Sequence, residues 1–90
     1  MKHSVTADRL AAARKRMLKQ RLGEWLEGGL DRMEDGKPKE YDVVQIRALL
    51  AAFDNPNTAN AVIRRFIVQA EAKGKGKYAK FLAKEVRPPT

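Results

Sequence analysis

The chain has 90 residues, no cysteine, a single histidine (His3) and a formal net charge of +8. That length allows one domain with a modest core, and the missing cysteines exclude a disulfide framework and a Cys/His zinc site. With 43% apolar and 33% charged residues the composition is that of a folded protein, and the longest strictly apolar stretch, Ala48 to Phe53, is far too short to span a membrane.

Thr6 stands where a helix N-cap would, with Asp8 in the first turn to complement the helix dipole. From there the chain reads helical to about Met33. Leu18, Leu22, Trp25, Leu26, Gly29 and Met33 recur at steps of three and four and share one face. Ala11 and Lys15 occupy the positions that would continue this stripe, so the first three turns are expected to project beyond the core. Gly28-Gly29 weakens the helix near its end.

Residues 34–39 (EDGKPK) form a connector punctuated by Gly36 and Pro38. Asp42 and Gln45 have the spacing of a capping box, with Tyr41 and Ile46 placed for a hydrophobic staple, which predicts a second helix from Val43 to about Phe53. Val43, Ile46, Leu50 and Phe53 line its apolar face. Asp54 to Asn57 has turn composition. Asn57 or Thr58 is the expected cap of a third helix running to about Lys73, with Ala59, Val62, Ile63, Phe66, Ile67 and Ala70 facing the core. Gly74 stops it. Gly74 to Lys77 (GKGK) reads as a flexible basic linker. A short last helix carries Tyr78, Phe81, Leu82 and Val86 on one side and ends at Pro88-Pro89.

The expected architecture is an all-α bundle of three to four helices in one domain. It has a basic N-terminal extension (1–16) on a protruding helix, a helical core (17–73) and a basic C-terminal segment (74–90). The second and third helices are a candidate helix–turn–helix.

No residue set calls for catalysis. The one serine (Ser4) and the one histidine (His3) sit at the N-terminus, and GKGK lacks the Walker spacing. Glu24, Glu27, Asp31 and Glu34 share a helix face, an arrangement read as a solvated face rather than a cation site. The chain is therefore expected to be a binder without cofactor or metal.

The positive charge is segregated. Residues 1–21 carry seven Lys/Arg against one acid, residues 22–72 six against nine, and residues 73–90 six against one. Polyanions are the natural partners of such arms. Arg14, Lys15, Arg16, Lys19 and Arg21 surround more than half of a helix, which suits phosphate contact. Asn57, Asn60 and Arg64, with Arg65 alongside, are placed early on the third helix, and Asn and Arg are the residue types that read adenine and guanine edges. Lys73, Lys75, Lys77 and Lys80 form a third basic group, interleaved with Tyr78 and Phe81. These aromatics are expected to pack rather than stack on bases.

The stretch from Met17 to Phe53 resembles small terminase subunits of short-tailed bacteriophages. The likeness rests on leucines at three–four spacing (Leu18, Leu22, Leu26), a connector with Gly36, and a second helix bearing Ile46, Arg47, Leu49 and Leu50. It covers about two fifths of the chain and carries no diagnostic motif. It implies an oligomeric, ring-forming DNA-recognition subunit that works beside a packaging motor and has no ATPase of its own.

The leading expectation is thus a non-catalytic nucleic-acid-binding protein, double-stranded DNA before RNA, with self-association or a larger protein complex and no membrane. Its location would be cytoplasmic, the host's cytoplasm if the chain is viral. The alternatives are a protein–protein adaptor or inhibitor, in which Trp25 and Met33 sit at an interface, and an RNA-binding protein.

Overall fold

A computed structural model describes the backbone of residues 2–88 and the side chains of residues 7–88. It contains four helices: α1 (Lys2–Arg32), α2 (Glu40–Ala51), α3 (Pro56–Ala72) and α4 (Gly76–Glu85). Among the described residues there is no strand, only an isolated bridge between Glu34 and Lys37. The all-α expectation holds. The side chains of His3 and Ser4, and the residues Met1, Pro89 and Thr90, lie outside the described parts.

α1 is the spine of the molecule. At 1.5 Å per residue its 31 residues span about 46 Å, and the molecule measures 54 × 24 × 21 Å. Its C-terminal half buries Leu22, Leu26 and Leu30 completely, with Leu18, Trp25 and Met33 packed at the edges. Leu30 completes the i, i+4 series and was not part of the expected stripe. Every residue from Asp8 to Met17 is exposed except half-buried Ala13, so the N-terminal turns do project beyond the core. The helix starts at Lys2, four residues before the expected cap at Thr6.

Gly28-Gly29 neither stops nor breaks α1, because Gly29 is a contact surface. A Cβ there would lie 2.8 Å from the Tyr78 hydroxyl, whose O–H donates to the Leu26 carbonyl at 2.8 Å. Tyr78 is fully buried and reaches from α4 into the centre of the core. Burial, with the nearby Asp42 carboxylate, pushes its phenol well above the ordinary tyrosine value.

The connector folds back as a tight turn. Asp35 and Gly36 both have positive φ, the backbone of a type I′ turn, and Glu34 and Lys37 exchange both backbone hydrogen bonds, at 3.0 and 2.9 Å. α2 then begins at Glu40, earlier than the capping-box pattern predicts, with Lys39 as an N-cap that makes no side-chain bond. Asp42 is not the cap. It is fully buried and accepts from Arg32 at the end of α1, Nε at 3.2 Å and Nη2 at 2.5 Å. An arginine ten residues upstream outcompetes the local amide because two charge-assisted bonds satisfy the buried carboxylate better than one backbone N–H. The predicted staple also fails: Ile46 is in the core, while Tyr41 is half exposed, edge-on to Trp25.

α3 is capped by Asn55, whose Oδ1 accepts from the Asn57 amide at 2.9 Å, and Pro56 opens the helix. The cap thus lies two to three residues before the expected Asn57 or Thr58, because proline at the first helical position leaves no amide to satisfy. At the other end Lys75 N donates to Ala70 O at 2.8 Å and Gly74 N to Glu71 O at 3.0 Å, with Gly74 at φ +74. This is a complete Schellman motif. The chain enters α4 at once, so GKGK is no flexible linker. Lys75 is half buried, and its Nζ donates to the Leu30 carbonyl at 2.9 Å, closing the C-terminal end of α1.

α1 packs against α2 and α3, and α3 packs closely along α4, whereas α2 and α3 hardly approach one another. The four-residue turn between α2 and α3 joins helices that make few close backbone approaches, and the structure does not establish a helix–turn–helix.

Candidate nucleic-acid interface

Arg14, Lys15, Arg16, Lys19 and Arg21 are all exposed on the N-terminal half of α1, and Arg9 extends the series. Among the described residues none of them takes part in an ion pair, the three salt bridges being Arg32–Asp42, Lys39–Glu34 and Arg47–Glu85. The helical register sends them in different directions. Arg14 and Arg21 lie on the side of Leu18 and Trp25. Lys15 and Lys19 continue the line of the buried leucines past the end of the core. Arg16 lies on the side of Gly23.

Arg65 is a further exposed cation, on the helix that packs against α1. The Arg65 guanidinium sits 5.8 Å from the centroid of the Phe66 ring, and the edge of that ring is 3.8 Å from where a Cβ of Gly23 would stand. Phe66 therefore docks α3 on α1 at Gly23, one turn from Lys19 and two from Arg16, with Arg65 exposed beside Phe66.

The remaining α3 residues separate. Arg64 is exposed on another side of the helix, and Asn57 is exposed at its start. Asn60 is 2% exposed and not on the outer face. Its Nδ2 donates to the Arg87 carbonyl at 2.7 Å, and its Oδ1 accepts from the Arg87 amide at 3.0 Å. Both ends of the amide serve to pin the chain after α4, and burial keeps Asn60 from reaching a base edge.

The C-terminal lysines form a second, distant region. Lys73, Lys77 and Lys80 are exposed, and the Lys77 stem lies over Gly36. Lys75 is fixed at the end of α1, about 20 Å along the helix axis from Arg16. Tyr78 is packed, as expected, and Phe81 lies half-buried against it with ring centroids 5.8 Å apart.

Two features of the surface were missed by sequence reasoning. The first is a groove of about 460 Å³ between the free half of α1 and the α2–α3 turn. Leu10, Leu18 and Phe53 supply its apolar lining, Arg14 and Lys15 one rim, and Asp54, Asn55 and Thr58 the other. The stripe positions Ala11 and Lys15 were the only sign that this side of α1 faces the domain. The second is a stack at the α1–α2 end. Arg32 lies 5.5 Å from the ring centroids of both Trp25 and Tyr41 while holding Asp42. The hydrogen bonds that Arg32 donates to Asp42 raise the guanidinium above its ordinary value and keep it charged. Val44 is exposed beside it.

Glu24, Glu27, Asp31 and Glu34 are exposed, Glu24 accepting from Gln20 at 3.3 Å and Glu34 pairing with Lys39 at 3.3 Å. Among the described residues no three acidic or histidine side chains are placed to hold a metal, and no helix is long and apolar enough to cross a membrane. No protein-family model, curated protein or solved structure matches the chain.

Proposed function

We propose that the chain is a non-catalytic nucleic-acid-binding protein whose main contact surface is the free half of α1. The observation that carries this reading is that five closely spaced cations stand exposed on a helix that projects past its own core, none of them held in an ion pair. Burial of Asn60 favours phosphate contact over base-edge reading by that residue. The likeness to small terminase subunits puts the DNA of a packaging complex first among the polyanions, with structured RNA second.

Fluorescence anisotropy of labelled duplex DNA, single-stranded DNA and structured RNA across a salt series tests the reading. Replacing Arg14, Lys15 and Arg16 by alanine should weaken duplex binding and reduce the salt slope by roughly 2 to 3, about 0.9 for each phosphate that the variant no longer neutralises. An unchanged slope in that variant refutes the placement on α1. A second reading, a protein–protein adaptor, is favoured by one observation, the exposed Tyr41 and Val44 beside Trp25. Absence of binding to all three nucleic acids at low salt would put it first.

A further inference from the structure

We infer that the groove between α1 and the α2–α3 turn takes an unpaired nucleotide, so that the preferred ligand is a strand with an overhang, gap or single-stranded stretch rather than blunt duplex. This rests on the nucleic-acid reading above and names the ligand of the same surface.

The groove has three kinds of wall, and their combination selects the occupant. Its lining is apolar, from Leu10, Leu18 and Phe53. A duplex presents sugar and phosphate to a helix lying along it and gains nothing from such a lining, whereas an unstacked base gains apolar and aromatic contact. Its α1 rim carries Arg14 and Lys15, in reach of the phosphates that flank a seated base. Its opposite rim carries Asp54, which forms no ion pair with either cation, so the two rims stand apart with room between them.

Asp54 repels phosphates and acidic side chains alike, so the group seated beside it is a neutral one, as a base is, with the flanking charges on the Arg14 and Lys15 rim. The carboxylate accepts hydrogen bonds from the exocyclic amino group of cytosine or adenine. Asn55 beside it uses its Oδ1 on the Asn57 amide, which leaves its NH₂ free to donate to a base carbonyl or ring nitrogen. The volume, about 460 Å³, is within the range of pockets that enclose one small ligand and too small for paired strands. Leu10 is 66% exposed, so the groove stands open to solvent and needs no rearrangement of the core to be filled.

The test compares one labelled duplex in two forms, blunt and with a three-nucleotide cytosine overhang, against the wild-type chain, Leu10→Ser, Phe53→Leu and Asp54→Asn. Leu10 is exposed, and Phe53→Leu keeps an apolar side chain at the edge of the core, so circular dichroism should show all three variants folded. The expected result is that wild type binds the overhang about tenfold tighter than the blunt form. Leu10→Ser and Phe53→Leu should lose most of that preference and keep blunt-duplex affinity. Asp54→Asn should narrow the difference between cytosine and thymine overhangs. Equal affinity for the two duplexes, or an overhang preference that survives both groove variants, overturns the inference and leaves the nucleic-acid reading standing. Binding to neither duplex at low salt removes that reading together with the inference. Displacement of the overhang by poly-glutamate that is itself weakened by Leu10→Ser assigns the groove to an acidic protein and overturns the inference as well.

Discussion

Replacing Gly29 by alanine tests the central packing of this fold, because two principles predict opposite signs. Helix propensity alone says that the change stabilises α1 by about 1 kcal/mol. The structure says otherwise. The new Cβ would stand 2.8 Å from the Tyr78 hydroxyl, 3.6 Å from its Cζ and 3.7 Å from Asp42 Cβ. Tyr78 cannot yield easily, because it is fully buried and its O–H is held by the Leu26 carbonyl. Overpacking costs about 1 to 3 kcal/mol, and a buried hydroxyl that loses its acceptor costs about 1 to 3 kcal/mol more. After the propensity gain the net loss is about 3 kcal/mol, against a total of roughly 5 to 13 kcal/mol for 90 residues. Urea unfolding followed by Trp25 fluorescence and by circular dichroism should show the midpoint falling by about 2 M, at a slope of about 1 to 1.5 kcal/mol per molar. The decisive variant is the double one. Tyr78→Phe removes the atom in the way, and Cζ at 3.6 Å is ordinary contact distance. The pair should therefore be more stable than the sum of its single effects by about 1 to 3 kcal/mol. A Gly29→Ala chain more stable than wild type, or an additive double variant, would show that Tyr78 does not govern the packing at this position.

Three other outcomes follow from the structure. The Tyr78 phenol is pushed up chiefly by burial, so folding favours its neutral form; the stability this supplies is complete below about pH 10 and is lost as pH rises further. The urea midpoint should fall more steeply above pH 10 in wild type than in Tyr78→Phe, and equal falls would contradict the sign. Asn60→Ala should cost about 1 kcal/mol and speed hydrogen exchange at the Arg87 amide while leaving nucleic-acid affinity unchanged, whereas a loss of affinity would return Asn60 to the interface. Gly74→Ala meets no neighbouring atom, so its cost of about 1 kcal/mol should come from the left-handed backbone alone; an unchanged thermal midpoint would deny the Schellman motif its role.

The parts of this fold that could be read from the sequence are those governed by spacing within one helix. Leu22 and Leu26, Ile46 and Leu50, and Val62, Ile63 and Phe66 announced buried faces because helical periodicity puts them in line. Gly74 announced a stop because a positive φ is costly for other residues. The errors have a common cause. Asp42, Asn60 and Lys75 each carry a polar group whose local use was plausible, as a cap, a base reader or a phosphate contact. Each is instead taken by a partner distant in sequence: Arg32, the Arg87 backbone and the Leu30 carbonyl. A buried polar group must be satisfied, and only the tertiary arrangement says by whom. The groove was hidden for the same reason, since its lining comes from Leu10 on α1 and Phe53 at the end of α2.

Four cations outside the candidate site are taken up by the fold itself. Arg32 holds a buried carboxylate, Arg47 chelates Glu85 with bonds of 2.8 and 3.3 Å, Lys75 closes a helix end, and Lys39 pairs with Glu34. Folding explains these cations. Lys73, Lys77 and Lys80 share with Arg14, Lys15, Arg16, Lys19 and Arg21 their exposure and, among the described residues, their lack of an ion pair, but only the α1 group puts five cations within eight residues of one helix. The helix dipole does not explain that group, since it favours anions toward an N-terminus, and the first turn of α1 has no acidic residue. Clustered like charge on the half of a helix that has no core beneath it carries a cost from mutual repulsion. That cost is relieved when a polyanion lies along the helix, and it is the same helix half that forms one side of the groove.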